Sequence, residues 1–318
     1  MKGNLKISTI IPTRSEDIKL AQSAINSVNW ADDILIADSS ITRSGMRCVE
    51  RFAQKNNARY TYRKYKYSAD FKNWAIPQAK YSWILLLDSD EVVTNKLKRH
   101  IKSLLNSGEI NKFDGFGIAR KHFFFGKFLR FGGRYPLYNV RLFRKSCRYE
   151  DRDVHAHIIL EREHLKNILP EDGDILHYSD RNFDQFFERF NRYSDYQASY
   201  IKKISQERRG IKWKCFISNY SYFKATMKDI WFFIPGAPFL RFLWMYVIQL
   251  GMFDGKHGLV IAMLYGFQDY VSKTKYYLLM GRKVPIRRKI QNILIYMVAW
   301  IFGKKELVTN YKECLNLS

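Results

Sequence analysis

The sequence predicts an α/β fold built on a mostly parallel, doubly wound sheet, followed by a helical C-terminal region. Apolar runs of strand length alternate with helical patterns over residues 6–95, an alternation typical of parallel sheets with helices on both faces. Beyond residue 110 the pattern becomes mixed, and residues 183–204 predict an amphipathic helix with an aromatic stripe. With 318 residues, 47% of them hydrophobic, the chain is long enough for one large domain with an appendage.

Four segments of the N-terminal region have the composition of strands: residues 6–12, 33–40, 58–65 and 82–88. Helical spacing occurs between them, in residues 18–28, 45–57 and 71–79. Polar residues end three of the predicted strands, as Pro12-Thr13-Arg14, Asp38-Ser39 and Asp88-Ser89-Asp90. Because ligands of parallel α/β sheets bind at the carboxyl ends of the strands, we expect these residues to face one crevice.

The acids that follow the apolar run "WILLL" form a D-x-D motif, with Asp88 and Asp90 on either side of Ser89. Acids at a strand end can bind Mg²⁺ or Mn²⁺, and these ions complete their coordination with phosphate oxygens and water. We expect Asp90 to be the direct ligand and Asp88 to orient a ribose hydroxyl or a metal-bound water. Solvated turn residues are the alternative, and the position of the acids after a buried strand favours the cation site.

The net charge of +24 is concentrated toward the C-terminus, where residues 201–305 hold 19 Lys and Arg against four acidic residues. Such a surplus fits either nucleic acid or an anionic membrane surface as a partner. No helix-turn-helix, zinc-finger or RNA-binding signature accompanies the charge, which argues against nucleic acid. The four cysteines lack CxxC spacing, which argues against a zinc site and fits a reduced, cytoplasmic setting.

Two apolar stretches in this basic region predict membrane contact without a span. Residues 231–253 hold a single charge, Arg241, and are interrupted by Pro235 and Pro238. Residues 290–302 are too short to cross a bilayer. We therefore expect peripheral attachment to the inner face of the cytoplasmic membrane, with a hydrophobic core or a homo-oligomer contact as the alternative.

The N-terminal motifs resemble the donor-binding half of family 2 glycosyltransferases, which have the GT-A fold. The residues that show this resemblance are "STIIPTRSE" (8–16), "ILIADSS" (34–40), "FKNWAIPQAK" (71–80) and "WILLLDSDE" (83–91). Later motifs are similar to the bacterial lipopolysaccharide-core β-1,4-glucosyltransferase branch. They are "GGRYPLYNVRLFRK" (132–145), "EDRDVHAHI" (150–158), "ILHYSDRNF" (175–183) and "GMFDGKHGLVIAMLYGF" (251–267).

This resemblance implies an inverting, metal-dependent transfer of a sugar from a nucleotide donor. The expected donor is a UDP-hexose, and the expected acceptor is the lipopolysaccharide core or another glycolipid or surface glycan. A polyprenyl-phosphate-directed or capsule glycosyltransferase is the alternative, and a nucleic-acid-binding protein is a weaker one.

The resemblance also assigns residues to the donor site. It implies contacts to the nucleotide and its diphosphate from Pro12, Thr13, Arg14, Glu16, Lys72, Asn73 and Ser89. Asp38 is expected to recognise uracil, with a turn acid as the alternative. His177 is expected to complete a Mn²⁺ or Mg²⁺ site with Asp90 and Asp88, with a packed, hydrogen-bonded histidine as the alternative.

An inverting transfer needs a general base that deprotonates the acceptor hydroxyl. Strand alternation would place Asp151, Asp153 and His155 on one face. We favour Asp153 as the base, and Glu150, Asp151 and His155 are the alternatives. The sequence departs from the family at Ala156, where relatives commonly carry Glu.

These expectations divide the chain into a catalytic domain, residues 1–200, and a helical membrane-associating or oligomerising region, residues 201–318. Within the catalytic domain, residues 1–95 are expected to bind the nucleotide sugar, and residues 110–182 to form the acceptor side and supply the base. Arg141 and Arg144 lie in this second part, where they either bind anionic groups or flank a strand.

Overall fold

The computed structural model describes residues 5–151, 156–180, 183–206, 226–227, 229–234 and 236–281. The chain forms two compact units. The first comprises residues 1–128 and 134–179, and the second comprises residues 129–133 and 180–318.

The N-terminal half of the first unit has the predicted alternation of strands and helices. The strands are β1 (Ile7–Thr13), β2 (Asp33–Asp38), β3 (Arg59–Tyr62) and β4 (Trp83–Leu86). The helices between them are α1 (Ile18–Val28), α2 (Arg43–Lys55) and α3 (Ser68–Ala75). These four strands pair in parallel in the order β3-β2-β1-β4, so the predicted α/β class is confirmed.

The central strands are almost continuously apolar because helices cover both faces of the sheet. Alternate residues therefore enter different cores. Ile11, Ile36 and Leu85 belong to one buried cluster. Ile10 and Ile84 belong to the other. All four residues of β4 are buried, which is why the sequence shows no polar residue until Asp88.

The other half of the sheet is largely antiparallel. It contains β5 (Glu91–Val93), β6 (Gly115–Phe124), β7 (Lys127–Phe128), β8 (Tyr138–Arg144), β9 (Leu165–Ile168) and β10 (Ile175–Asp180). The helix α4 (Asn95–Ser107) follows β5. The main path of the sheet continues from β4 through β8, β6 and β10 to β5, with β7 and β9 paired to β6. The mixed pattern expected beyond residue 110 is confirmed by these antiparallel pairings.

A β-bulge interrupts the pairing of β6 with β8. Phe116 pairs with Leu142 and the next residue, Gly117, pairs with Val140. Arg141 is therefore the additional residue on β8, without a partner of its own in that register. A bulge of this kind bends the strand and changes the direction in which a side chain points.

The second unit contains three described helices: α5 (Phe183–Gln206), α6 (Ala237–Leu243) and α7 (Gly255–Leu279). A π-helical turn, Trp244–Ile248, continues α6. Ala198 and Ile201 of α5 form a buried cluster with Phe232 and Tyr276. This packing places α5 in the second unit, so the units divide between residues 179 and 180. Residue 200, where the catalytic domain was expected to end, lies inside α5.

Among the described residues, no single helix is long and apolar enough to cross a membrane. One bent helix pair, Ala237–Ile248 with Gly251–Leu279, meets the length and composition criteria together, with a bend of 74°. The apolar stretch at residues 290–302 lies outside the described residues.

Asp33 joins three segments at the amino end of the parallel strands. Its carboxylate accepts two hydrogen bonds from Arg59, at 2.7 and 2.8 Å, one from the Ser8 hydroxyl at 2.7 Å, and one from the backbone of Lys80 at 3.1 Å. Burial alone would raise the pKa of the Asp33 carboxyl, but the hydrogen bonds from Arg59 and Ser8 outweigh it and hold the pKa below its ordinary value.

We expect Asp33→Asn to lower the free energy of unfolding at pH 7 by about 1–3 kcal/mol, because charged hydrogen bonds to a buried carboxylate are lost. The pKa of Asp33 is lowered on folding, so its contribution is complete above the unfolded pKa, about 4, and is lost as the pH falls through the folded pKa. Urea unfolding of both proteins from pH 7 to pH 3 should show the difference narrowing. A difference that stays constant over this range would contradict the account.

Candidate functional site

The candidate site lies where the parallel strands end. β1 ends at Thr13 and β2 ends at Asp38, and these two residues are direct partners in the sheet. The backbone N–H of Leu87 donates to the carbonyl of Ile10 at 3.0 Å, which keeps the chain after β4 beside β1 as it approaches Asp88. The three polar strand ends therefore lie next to one another, as the sequence predicts.

Asp88 is bound by two cationic side chains. Its Oδ1 lies 3.1 Å from Nζ of Lys72, and its Oδ2 accepts a hydrogen bond from Nη2 of Arg141. Burial alone would raise the pKa of Asp88, but the positive charges of Arg141 and Lys72 outweigh this effect and hold the pKa far below its ordinary range. Asp88 therefore stays ionised, with about one third of its side chain (32%) exposed.

Glu91 forms the buried centre of the same network. Its Oε1 accepts hydrogen bonds from Arg141 at 2.6 Å and from Arg120 at 3.2 Å. Its Oε2 accepts the backbone N–H of Asp88 at 3.0 Å. Neither Glu91 nor Arg120 is predicted as a site residue from the sequence. The available signals were an acid directly after the D-x-D and three consecutive polar residues inside an otherwise apolar strand, "ARKHFFF".

Asp90 lies beside His177, as the resemblance implies. His177 Nε2 is 3.4 Å from Asp90 Oδ2, and the other ring nitrogen, Nδ1, is 3.2 Å from Nε2 of the buried His122. The antiparallel pairing of β10 with β5 sets this arrangement by placing His177 opposite Glu91. Burial alone would raise the pKa of Asp90, but the interactions with His177 and Arg141 together hold the pKa below its ordinary value. His122 is a site residue that was not predicted from the sequence.

The donor atoms of Asp90 and His177 fit a shared divalent cation, because a separation of 3.4 Å is close to that of neighbouring ligands around Mg²⁺ or Mn²⁺. Contact with His122 would fix the orientation of the His177 ring, as the outer partners of metal-binding histidines do. Among the described residues, no group of three or more acidic, His or Cys side chains is arranged to hold a metal. Asp88, which was also expected in the metal site, is bound to Lys72 and Arg141, and its expected contact with the metal stays a prediction.

Asp38 is completely buried and is bonded to the protein. Its Oδ1 accepts from the backbone N–H and the hydroxyl of Ser40, at 2.7 and 2.6 Å, and its Oδ2 accepts from the Tyr60 hydroxyl at 2.9 Å. Burial and the hydrogen bond to Asp38 raise the pKa of that hydroxyl. These contacts are those of a turn acid, the alternative role expected for Asp38, and recognition of uracil stays a prediction.

The remaining residues expected to bind the donor differ in how exposed their side chains are. The Thr13 hydroxyl donates to the carbonyl of Ile11, whereas Arg14 and Glu16 are exposed and Pro12 and Ser89 are partly buried.

Asn73 uses both ends of its side-chain amide to hold Tyr149. Its Nδ2 donates to the Tyr149 carbonyl at 3.0 Å, and its Oδ1 accepts the Tyr149 N–H at 2.8 Å. The structure thus gives Asn73 a structural role, because the amide faces the backbone of the 149 segment. Its expected contact with the diphosphate stays a prediction.

The expected general base, Asp153, lies outside the described residues, as does His155. The segment before them is anchored by an antiparallel bridge between Tyr149 and Ile158. The Asp151 carboxylate accepts a hydrogen bond from the Tyr67 hydroxyl. The assignment of the base therefore stays a prediction.

Arg141 and Arg144 have different roles. Arg141 enters the Asp88 network, whereas Arg144 pairs with Asp114 at 2.9 Å and lies over the Trp83 ring, 4.9 Å from its centroid. Arg144 therefore flanks a strand, which is one of the two roles that the sequence allowed.

Asp38→Ala distinguishes the turn acid from the uracil contact. We expect it to lower the free energy of unfolding by about 1–3 kcal/mol, because the buried donors of Ser40 and Tyr60 lose their acceptor. Tyr60→Phe, which removes one of these bonds, should lower it by less. Urea unfolding measures both variants. Unchanged stability of Asp38→Ala combined with weaker nucleotide binding would show that the side chain serves the donor instead.

Curated bacterial proteins match this chain over most of its length, although no protein-family model matches it. An uncharacterized glycosyltransferase of Rickettsia typhi is 22% identical over 278 residues, which cover 85% of this chain and 86% of the relative. Another, of Rickettsia conorii, is 24% identical over 85% of this chain and 89% of the relative. The lipopolysaccharide core biosynthesis glycosyltransferase LpsC of Rhizobium meliloti is 25% identical over 206 residues, which cover 62% of this chain and 72% of LpsC.

Among solved structures, S. aureus TarS in complex with UDP-GlcNAc aligns with 87% of this chain and 93% of the TarS chain, at 11% identity and a TM-score of 0.40. The sequence relatives confirm the enzyme class that the motifs predict. By its similarity to these proteins along most of its length, the chain is a glycosyltransferase.

Proposed function

We propose that this glycosyltransferase transfers a hexose from a UDP-sugar to the lipopolysaccharide core or to another glycolipid or surface glycan. The observation that supports this proposal most strongly is the group of charged residues at the end of β4. There, Asp88 is held by Lys72 and Arg141, and Asp90 lies beside His177. Similarity to LpsC, whose name gives lipopolysaccharide core biosynthesis as its process, supports the class of acceptor.

The geometry suggests separate roles for the two acids of the D-x-D. Asp90, with His177, has donor atoms placed for Mn²⁺ or Mg²⁺. Asp88 is fixed by two cations and partly exposed, so its carboxylate can accept a hydrogen bond from a ribose hydroxyl of the donor. Lys72 supplies positive charge for the diphosphate. When bound, the divalent cation would stabilise the negative charge of the leaving nucleoside diphosphate.

The transfer itself inverts the configuration at the anomeric carbon. The acceptor oxygen forms a bond to that carbon while the bond to the diphosphate oxygen breaks, and the acceptor proton passes to a general base. Asp153 is the proposed base, with Glu150, Asp151 and His155 as alternatives.

Binding of UDP-sugars to the purified protein, with and without Mn²⁺, tests the donor and the metal together. We expect UDP-hexoses to raise the unfolding temperature only when Mn²⁺ is present. Stabilisation by a UDP-sugar that is unaffected by removing divalent cations would contradict the metal site. No stabilisation by any nucleotide sugar would contradict the proposed donor class.

Asp90→Ala should reduce transfer by roughly 100-fold or more, because the loss of a metal ligand exceeds the 10–100-fold effect typical of residues that only orient ligands. The Mn²⁺ concentration needed for half-maximal transfer should also rise. Asp172→Ala is a matched control, because this acid is partly exposed and pairs with His100. Near-normal transfer by folded Asp90→Ala protein would contradict the assignment.

We also propose that the second unit attaches the enzyme to the anionic inner face of the cytoplasmic membrane. Large apolar side chains are exposed along one segment of this unit: Phe239, Leu240, Trp244, Val247, Ile248, Leu250, Met252 and Phe253. The net charge of +24 would attract anionic lipid, at about 1 kcal/mol for each Lys or Arg near the surface. Such attachment would bring the site to an acceptor whose lipid part stays in the bilayer.

Flotation with vesicles of phosphatidylglycerol, compared with neutral phosphatidylcholine, measures this attachment. We expect preferential binding to the anionic vesicles, partly reversed by high salt. The double variant Trp244→Ser, Phe253→Ser should bind about tenfold or more weakly, because burial of each large apolar side chain contributes about 1.5–3 kcal/mol. Leu169→Ser, which changes a similarly exposed apolar residue of the first unit, is the control. If neither vesicle binds and the protein is dimeric, the apolar surface is an oligomer contact.

A further inference from the structure

Glu91 is a completely buried acid that has no direct part in the proposed transfer. Its side chain is 0% exposed, so it cannot reach the donor or the acceptor. It is nevertheless the residue that connects the site, because it binds Arg141, Arg120 and the backbone N–H of Asp88. Burying a carboxyl group without polar partners is strongly unfavourable, so these contacts are needed to hold the Glu91 side chain in the interior.

Arg141 reaches Glu91 and Asp88 from the bulge of β8. Its side chain is 5% exposed, and its Nη2 donates to both carboxylates. Its buried Nε has no hydrogen-bond partner among the described residues. The guanidinium is therefore oriented by the two acids. Because the bulge at Arg141 interrupts the β6–β8 register, the strand directs this side chain toward the end of β4.

We propose that Glu91 is a positioning residue, which acts through Arg141 and through the backbone of Asp88 to hold the D-x-D segment in the geometry that binds the donor. This inference rests on the proposed function of the site. Glu91 fixes the segment at two points: its Oε2 holds the backbone where the D-x-D begins, and its Oε1 holds the guanidinium that binds the Asp88 carboxylate. Asp90 follows two residues later and depends on the same turn, in which the Glu91 N–H donates to the Asp88 carbonyl at 2.9 Å.

The competing explanation is that the Glu91–Arg141 ion pair only stabilises the fold. Removing the charges of both Glu91 and Arg141 distinguishes this explanation from a positioning role. Taking away one member of a buried ion pair leaves an uncompensated charge and destabilises the protein, whereas replacing both members with neutral groups of similar volume is often tolerated. The double variant Glu91→Gln, Arg141→Met should therefore be more stable than Glu91→Gln alone. If Glu91 is a positioning residue, this double variant can regain stability without regaining its affinity for the donor.

The experiment compares wild type, Glu91→Gln and the double variant by urea unfolding and by calorimetric titration with UDP in the presence of Mn²⁺. We expect the double variant to recover most of the stability that Glu91→Gln loses, while its affinity for UDP stays about 10–100-fold below wild type, the usual effect of removing a residue that orients a ligand group. Asp33→Asn is the matched control, because it removes a buried, Arg-paired carboxylate at the opposite end of the strands. It should lose stability and keep wild-type affinity for UDP.

Recovery of both stability and UDP affinity in the double variant would overturn the inference and leave an ion pair with a structural role only. If the double variant does not fold, Arg141→Lys provides the test, since it keeps the charge but loses the planar guanidinium. Folded Arg141→Lys that binds UDP as wild type does would also overturn the inference. Failure of wild type itself to bind UDP or any nucleotide sugar would refute the proposed function and this inference with it.

Discussion

The candidate site depends on one interaction, in which the Arg141 guanidinium donates hydrogen bonds to the carboxylates of both Asp88 and Glu91. Asp88, Glu91 and Arg141 meet at the end of β4, a strand that is buried along its whole length. An unpaired charge in such a position would destabilise the fold. The positive charge of Lys72 on the other Asp88 oxygen completes the balance. The geometry of the D-x-D is thus set by long-range ion pairs in addition to the local turn. In this geometry the Asp90 carboxylate lies next to His177.

Sheet topology brings these groups together from distant parts of the sequence. The parallel half ends its strands at one edge, which supplies Asp38 and the D-x-D. The antiparallel half then places Arg141 on β8 and His177 on β10 around the same acids. The first unit therefore contains the described charged site within its own fold. The second unit supplies the exposed apolar surface that motivates the proposed membrane attachment.

The sequence predicted the parallel half well, because strand and helix periodicity is local and both faces of the sheet are buried. The position of the D-x-D at a strand end was predicted for the same reason, because polar residues after a buried strand mark its carboxyl end. Roles that depend on register were not predictable. Arg141 reaches Asp88 and Glu91 because of a bulge in β8. Arg120 contacts Glu91, and His122 contacts His177, only because the sheet places β6 between β8 and β10. Spacing alone likewise could not show that the Asn73 amide is used by the Tyr149 backbone.

A crystal structure of the protein with UDP and Mn²⁺, with the metal located by its anomalous scattering, tests the central claim most directly. The account predicts a Mn²⁺ peak in contact with Asp90 and His177, the diphosphate beside it, and the Asp88 carboxylate still bonded to Arg141. UDP bound away from the ends of β1, β2 and β4, or Mn²⁺ bound without Asp90, would contradict it.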